Sequence, residues 1–251
     1  MSFETKENTI EFEVSGPYAM FSDPVFRVGG EKFSYPIPTY EALKGIVSAI
    51  YWKPTFTWFI DDVRVMNQII TESKGILRPA VVLGGGKNQL DCYTYLKNVK
   101  YQVRAHFEWN KNRPDLQEDR NYKKHNSIAM RSLRKGGRRS AFLGTRECQA
   151  DVAPCSFGEG ESFYDHDESF ENAIRFGLMY HGITYPDERE NVNDEQVMTV
   201  NFWNPEMKDG VIHFCRPSEC FHKAIRHGNQ KEFVLSRNIK PVAQEEADCE
   251  D

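Results

Sequence analysis

Two segments far apart in the chain alternate strictly between apolar and polar residues, and any fold must accommodate both. In the first, Glu11 and Glu13 separate Ile10, Phe12 and Val14. In the second, Gln102, Arg104 and His106 separate Tyr101, Val103, Ala105 and Phe107. A period of two puts each set on its own face, so both segments are half-buried strands with one apolar side. The second strand carries Arg104 and His106 on its polar face. Between the two, Tyr40, Leu43, Ile46, Val47, Ile50 and Tyr51 recur at helical spacing, with Thr39 placed to cap the helix and Pro54 to stop it. Thr55 to Val65 is rich in β-branched and aromatic residues, which predicts a further strand.

Asp119 to Lys135 contains neither Gly nor Pro and reads as a second helix with a stripe of Ile128, Ala129 and Leu133; Gly136-Gly137 ends it. Ser140 to Gly144 follows as a strand. Turns fall at Gly29-Gly30, Pro36 and Pro38, and a loop at Gly84-Gly85-Gly86. That glycine triplet matches no phosphate-binding fingerprint. The order strand, helix, strand, strand, helix, strand is that of the ferredoxin-like split βαβ motif, which RNA-recognition domains share. The fold class read from this is α+β.

Cys155 to Glu171, rich in Gly, Ser and acid, reads as a boundary. Beyond it, Phe176 to Tyr185, Gln196 to Trp203 and Gly210 to Cys215 are expected strands, separated by turns at Pro186, Asn204-Pro205 and Asp209-Gly210. The organisation expected is a ferredoxin-like domain over 1–160 carrying the site, a small antiparallel β-sheet domain over 161–240, and a disordered acidic tail over 241–251.

No apolar run approaches the ~18–20 residues of a membrane helix. Met1 to Lys6 has no basic start leading into an apolar stretch, so no secretory signal is read there, and a cytoplasmic location is expected. The six cysteines are Cys92, Cys148, Cys155, Cys215, Cys220 and Cys249, with no C-x-x-C pair. They are expected to be reduced thiols without a disulfide framework. Cys215 and Cys220, with His213 and His222 nearby, are spaced poorly for known zinc fingers, and no metal or cofactor is assigned.

The net charge of -5 argues against nucleic acid, but its distribution does not. Lys97 to Arg139 holds thirteen Lys or Arg against four Asp or Glu, a basic island in an otherwise acidic chain. Such an island localises the potential that attracts phosphate. Its densest part is Tyr122-Lys123-Lys124-His125 followed by Arg131, Arg134, Lys135, Gly136, Gly137, Arg138 and Arg139. Arginine forks grip phosphate oxygens, and a glycine pair allows close backbone approach, so this stretch is a candidate phosphate track. Contacts of this kind give affinity without reading sequence.

No acidic cluster of the two-metal type accompanies the track. RNA offers another route, because its own 2′-hydroxyl can attack the adjacent phosphate given a base, an acid and a cation. Imidazole titrates near ~6.5 and suits proton transfer, which makes His125 the candidate shuttle and Lys124 the candidate cation. Against this stands an ordinary polar surface bearing an exposed histidine beside two lysines. Tyr51, four residues after Val47, is on pattern a core-facing aromatic.

Several runs resemble one family. They include Tyr18-Ala19-Met20-Phe21-Ser22-Asp23-Pro24, Gly29-Gly30-Glu31-Lys32, Pro38 to Ile46, Ile50-Tyr51-Trp52-Lys53-Pro54 and Arg113-Pro114-Asp115-Leu116. Arg131-Ser132-Leu133, Gly136-Gly137-Arg138-Arg139 and Phe142 to Cys148 continue the match. Together they are similar to the Cas-five family of type I-C CRISPR systems, its d or Dvulg subtype, over most of residues 8 to 215.

The resemblance implies a metal-independent endoribonuclease that cuts precursor CRISPR RNA at the base of the repeat hairpin. It would leave a 2′,3′-cyclic phosphate, hold the 5′ handle, and join the backbone and large subunits of the interference complex. The family's catalytic tyrosine falls on Tyr51 and its Lys-His pair on Lys124 and His125. It also implies a weaker activity on, or affinity for, double-stranded DNA. The competing readings are a subunit that caps the 5′ handle without cutting, and a DNA-binding or DNase component.

Overall fold

The computed structural model describes residues 7–24, 31–78, 88–165, 173–190 and 197–227. The expected turn at Gly29-Gly30, the Gly84 to Gly86 loop and the acidic tail lie outside the described residues. The first half runs β1 (Thr9–Ala19), β2 (Lys32–Phe33), α1 (Tyr40–Ile50), β3 (Phe56–Val65), β4 (Thr71–Arg78), β5 (Gln89–Trp109), α2 (Tyr122–Leu133), β6 (Ala141–Phe142) and β7 (Gln149–Pro154). Then come β8 (Ile174–Arg175), β9 (Met179–Thr184), β10 (Val197–Trp203), β11 (Glu206–Lys208), β12 (Val211–His213) and β13 (Phe221–His227).

The alternating segments pair with each other. β1 lies antiparallel to β5 with Phe12 opposite Val103 and Val14 opposite Tyr101, so their apolar faces coincide. On the far side of β5, Trp58 of β3 faces Phe107 and Val63 faces Val103. These side chains form the core, with Phe12, Val14, Val63, Val103, Ala105 and Phe107 sealed from water. On the opposite face, Arg104 donates to Glu11 at 2.9 Å and to Asp62 at 3.0 Å. His106 Nδ1 meets Asp61 at 2.7 Å. Burial opposes charge on this imidazole, but Asp61 and Glu108 outweigh it and hold its pKa above the ordinary value.

The main sheet has ten strands in the order β6-β7-β1-β5-β3-β12-β11-β8, with β2 and β4 also on β5. Both helices bury an apolar stripe. α1 is capped as expected, Thr39 Oγ1 accepting from the Ala42 amide at 3.2 Å, and it buries Leu43, Ile46, Val47 and Ile50. Each such side chain contributes at most ~1.5–3 kcal/mol. α2 buries His125, Ala129, Ser132 and Leu133. Its N-cap is Asn121, two residues inside the expected start, because a 3₁₀ turn over Pro114–Asp119 occupies the approach. Gly144 has φ +93°, and a Cβ there would lie 1.9 Å from the Met20 carbonyl oxygen, so only glycine fits.

The second half departs from expectation. A three-stranded sheet is present in the order β13-β10-β9. The segment Gly210 to Cys215, expected in that sheet, instead supplies β12 to the main one, pairing Val211 with Arg64 and Ile212 with Val63. An unpaired β3 edge would leave backbone donors and acceptors unmet. β12 meets them, with the Val65 amide donating to Gly210 at 2.8 Å and the Phe214 amide to Asp61 at 2.8 Å. The third place in the small sheet goes to β13, which the sequence reading did not identify. The stretch read as a boundary also packs on the main sheet. Arg64 reaches Asp165 at 2.6 Å and the Gly160 carbonyl at 3.0 Å, and Gln102 donates to the Glu159 carbonyl at 2.6 Å. Residue 160 therefore does not divide one sheet from the other. Among the described residues no helix is long and apolar enough to cross a membrane.

Candidate active site

The last carbonyls of a helix have no partner within it. At the end of α1 they are met by the chain around the end of α2. Ser132 Oγ donates to the Ile50 carbonyl at 2.6 Å. The amides of Arg138 and Arg139 each donate to the Ala49 carbonyl at 3.1 Å. Arg139 Nη2 reaches the Ser48 carbonyl at 3.4 Å. These bonds fasten the glycine-bearing basic loop against the residue that follows α1, which is Tyr51.

Tyr51 is held on both sides of its peptide unit. Its amide donates to the Val47 carbonyl at 3.0 Å, and its own carbonyl accepts from Trp58 Nε1 at 2.7 Å. Its side chain is 1% exposed and packs beside Phe56. The hydroxyl lies 2.9 Å from His125 Nδ1. His125, in the first turn of α2, is also 1% exposed, boxed by Phe56, Phe107 and Trp109.

The network fixes the tautomer. His125 Nε2 lies 2.8 Å from the Asp119 carbonyl, which can only accept, so Nε2 carries a proton. In the neutral ring Nδ1 then accepts from the Tyr51 hydroxyl. The Asp119 carboxylate lies 3.3 Å from the same Nε2. It also accepts from Lys124 Nζ at 2.5 Å and from Thr55 Oγ1 at 2.8 Å. The bond from Lys124, then that from Thr55, holds this carboxyl below its ordinary pKa against its desolvation. Burial pushes the Tyr51 phenol up, Asp119 adds to the rise, and Arg138 opposes it.

Tyr51, Lys124 and His125 thus meet around one acid. The two neighbours on α2 leave the helix about 100° apart, yet both turn back to Asp119. The expectation of an exposed histidine is corrected: His125 is sealed because the aromatic box made by β3 and β5 receives it. Tyr51 is core-facing, as its spacing predicts, and still places its hydroxyl in the site. Asp119 and Thr55 were not singled out from sequence. The available signal was that Asp119 is one of only four acids within the basic island.

Lys123, Arg131, Arg134, Lys135, Gly136, Arg138 and Arg139 are all exposed, with Gly137 half-buried. Lys123 stands 3.7 Å from Glu7. The Arg138 guanidinium sits 5.5 Å from the centre of the Tyr51 ring. The island is less uniform than its charge count implies. Lys97 pairs with Glu72, Lys100 with Glu13, Arg104 with Glu11 and Asp62, and Arg113 with Asp115. Pairing of this kind mutes the field over the sheet. Of the catalytic candidates only Lys124, with 52% of its side chain exposed, reaches water.

The histidines weighed beside Cys215 and Cys220 turn elsewhere. His213 Nδ1 bonds Asp62 at 2.5 Å, and His222 Nδ1 faces the Cys220 carbonyl at 3.3 Å.

Residues 9–215 match the family model described as CRISPR-associated protein (Cas_Cas5), Cas_Cas5d. A CRISPR pre-crRNA endoribonuclease Cas5d of Mannheimia succiniciproducens is 30% identical over 226 residues, spanning 82% of this chain and 94% of that protein. A protein of the same name from Thermus thermophilus is 32% identical over 154 residues, 58% of this chain and 63% of that one. A solved structure described as a CRISPR-associated protein superposes with a TM-score of 0.69 at 37% identity, covering 86% of this chain and 96% of its own. A functionally uncharacterized protein from Streptococcus mutans gives a TM-score of 0.66 at 37% identity, with the same coverage.

Proposed function

The chain belongs to the CRISPR-associated Cas5 family in its Cas5d form, and on that premise we propose that it is a precursor CRISPR RNA endoribonuclease acting through Tyr51, Lys124 and His125. The observation that carries the assignment of residues is the convergence of Tyr51 Oη, His125 Nδ1 and Lys124 Nζ around Asp119. The chain's central strands, in the order β7-β1-β5-β3 with α1 and α2 as crossovers, support a ferredoxin-like reading of this unit.

In the reaction the ribose 2′-oxygen attacks the adjacent phosphorus. The bond from 2′-oxygen to phosphorus forms and the bond from phosphorus to the 5′-oxygen breaks. The products are a 2′,3′-cyclic phosphate and a 5′-hydroxyl. The proton leaving the 2′-hydroxyl passes to the Tyr51–His125 pair, His125 Nδ1 being the basic atom. The protonated Tyr51–His125 pair then gives a proton to the departing 5′-oxygen, which returns the pair to its starting state. Lys124 offsets the charge that grows on the phosphate. The nucleophile belongs to the substrate, so this route asks for no metal-bound water. The exposed cations from Lys123 to Arg139 hold the flanking phosphates, and the 5′ handle stays bound as the protein joins the backbone and large subunits of a type I-C complex.

The burial of Tyr51 and His125 is the observation that favours a second reading, a handle-binding subunit that does not cut. Under the first reading RNA must displace the cover at Arg138 to reach the pair. Incubation with the cognate repeat RNA in EDTA separates the two. An intact strand and one with a single 2′-deoxy nucleotide at the cut are compared. Cleavage of the intact strand alone supports the ribonuclease. No cleavage of either strand, with binding retained, supports the second reading.

A further inference from the structure

Outside the Tyr51–His125 site, one cluster gathers soft metal-binding atoms. His181 of β9, Cys215 just after β12 and Cys220 just before β13 present ligand atoms that all lie within 4.8 Å of one another. The two sulfurs are 3.4 Å apart. His181 is wholly buried, stacked on Tyr40 and edge-on to Trp203. Its Nε2 lies 3.1 Å from the Cys215 carbonyl and donates to it, which leaves Nδ1 as the lone-pair nitrogen. That Nδ1 is buried with no hydrogen-bond partner among the described residues.

A buried polar atom without a partner is destabilising, because it has given up water and gained nothing in return. A metal ion is a partner that suits a buried imidazole grouped with two thiols. From this geometry we propose that His181, Cys215 and Cys220 form a zinc site that fastens the three-stranded sheet to the main one.

The donor set is soft, and tetrahedral bonds of ~2.3 Å to sulfur and ~2.0–2.1 Å to nitrogen set the ligand atoms about 3.5–3.8 Å apart. The sulfurs already lie 3.4 Å apart and the imidazole atom within 4.8 Å of them, so a contraction of at most about 1 Å reaches that spacing. Binding releases the two thiol protons to solvent. Cys215 and Cys220 also line an open cleft with His213 and Glu219, from which water supplies the fourth ligand.

The site has a structural purpose in the topology. β12 belongs to the main sheet and β9 and β13 to the small one, so an ion held by β9 and by both ends of the β12–β13 connection joins the two. Local spacing hid it, because the third ligand is 34 residues from the nearer cysteine, Cys215.

The test uses the full chain purified without chelator. Metal content is measured by mass spectrometry, and cobalt(II) is exchanged in to read thiolate-to-cobalt charge-transfer bands. The wild type should hold about one zinc per chain and show those bands. Cys215→Ser with Cys220→Ser should lose both, while Cys92→Ser should keep both. A chelator should lower the melting temperature of the wild type and leave the double variant unmoved. Three results overturn the proposal: wild-type protein with free thiols and no bound zinc; zinc that persists in the double variant; or a native mass two hydrogens lighter, with Cys215 and Cys220 joined as a disulfide.

Discussion

The Tyr51 hydroxyl donates to His125 Nδ1 across 2.9 Å while Nε2 of the same ring donates to the Asp119 carbonyl at 2.8 Å. The imidazole is thereby committed to one tautomer, with its basic atom turned to the phenol. A proton on Tyr51 has one acceptor available, and that acceptor is braced from behind. The same arrangement couples folding to chemistry, because each partner buries the other.

Tyr51→Phe removes the hydroxyl and little volume. It leaves Nδ1 buried without a donor, so stability should fall by ~1–3 kcal/mol in urea denaturation. Single-turnover cleavage of repeat RNA should fall by roughly 10²–10⁴-fold. A stability loss with cleavage intact would confine Tyr51 to packing.

Asp119→Asn tests the acid that gathers the site. Lys124 and Thr55 hold this carboxyl below its ordinary value of 3.8. A depressed carboxyl stabilises the fold above its unfolded pKa, and that contribution is lost as pH falls through the folded one. The wild type should therefore be more stable than the variant at neutral pH, and the gap should close as pH drops below about 4. Denaturation midpoints measured across that range check it; a gap that does not change with pH removes the charge from the explanation.

Arg138→Ala combined with Arg139→Ala keeps the two amides on the Ala49 carbonyl, since those bonds come from backbone. The fold should hold, RNA binding should weaken, and the slope of log affinity against log salt should shrink by roughly 0.7 for each lost contact to single-stranded phosphate. Titrations at several salt concentrations read the slope. An unaltered slope would remove these side chains from the phosphate track.

Gly144→Ala would set a Cβ 1.9 Å from the Met20 carbonyl oxygen at a φ of +93°. The chain just after β6 would have to shift. The expected cost exceeds about 2 kcal/mol, combining left-handed strain with displaced backbone. Urea denaturation measures it, and a neutral substitution would contradict this close approach.

The elements legible in the sequence were those whose pattern is local. Ile10 to Val14 and Tyr101 to Phe107 announced strands by alternation, Thr39 and Pro54 bounded α1, and Gly136-Gly137 ended α2. β4 was missed because Thr71 to Arg78 carries Glu, Lys and Gly and gains its strand character only from pairing with β5. Val211 to His213 read correctly as a strand, but its sheet was a question of which edge lacked partners.

Legible in the sequence were the candidate residues and the sign of their surroundings: Lys124 and His125 in a basic segment, the arginines beyond, and Tyr51 through the family resemblance, its spacing alone marking a core aromatic. Tertiary structure alone decided that His125 is buried rather than exposed, that Asp119 and Thr55 complete the group, and that His181 comes to the cysteines. The physical reason is common to all three. A hydrogen bond or a coordination site requires atoms within a few ångströms of each other, and only chain reversal across β3, β5, α2 and the second sheet brings residues dozens of positions apart to that range.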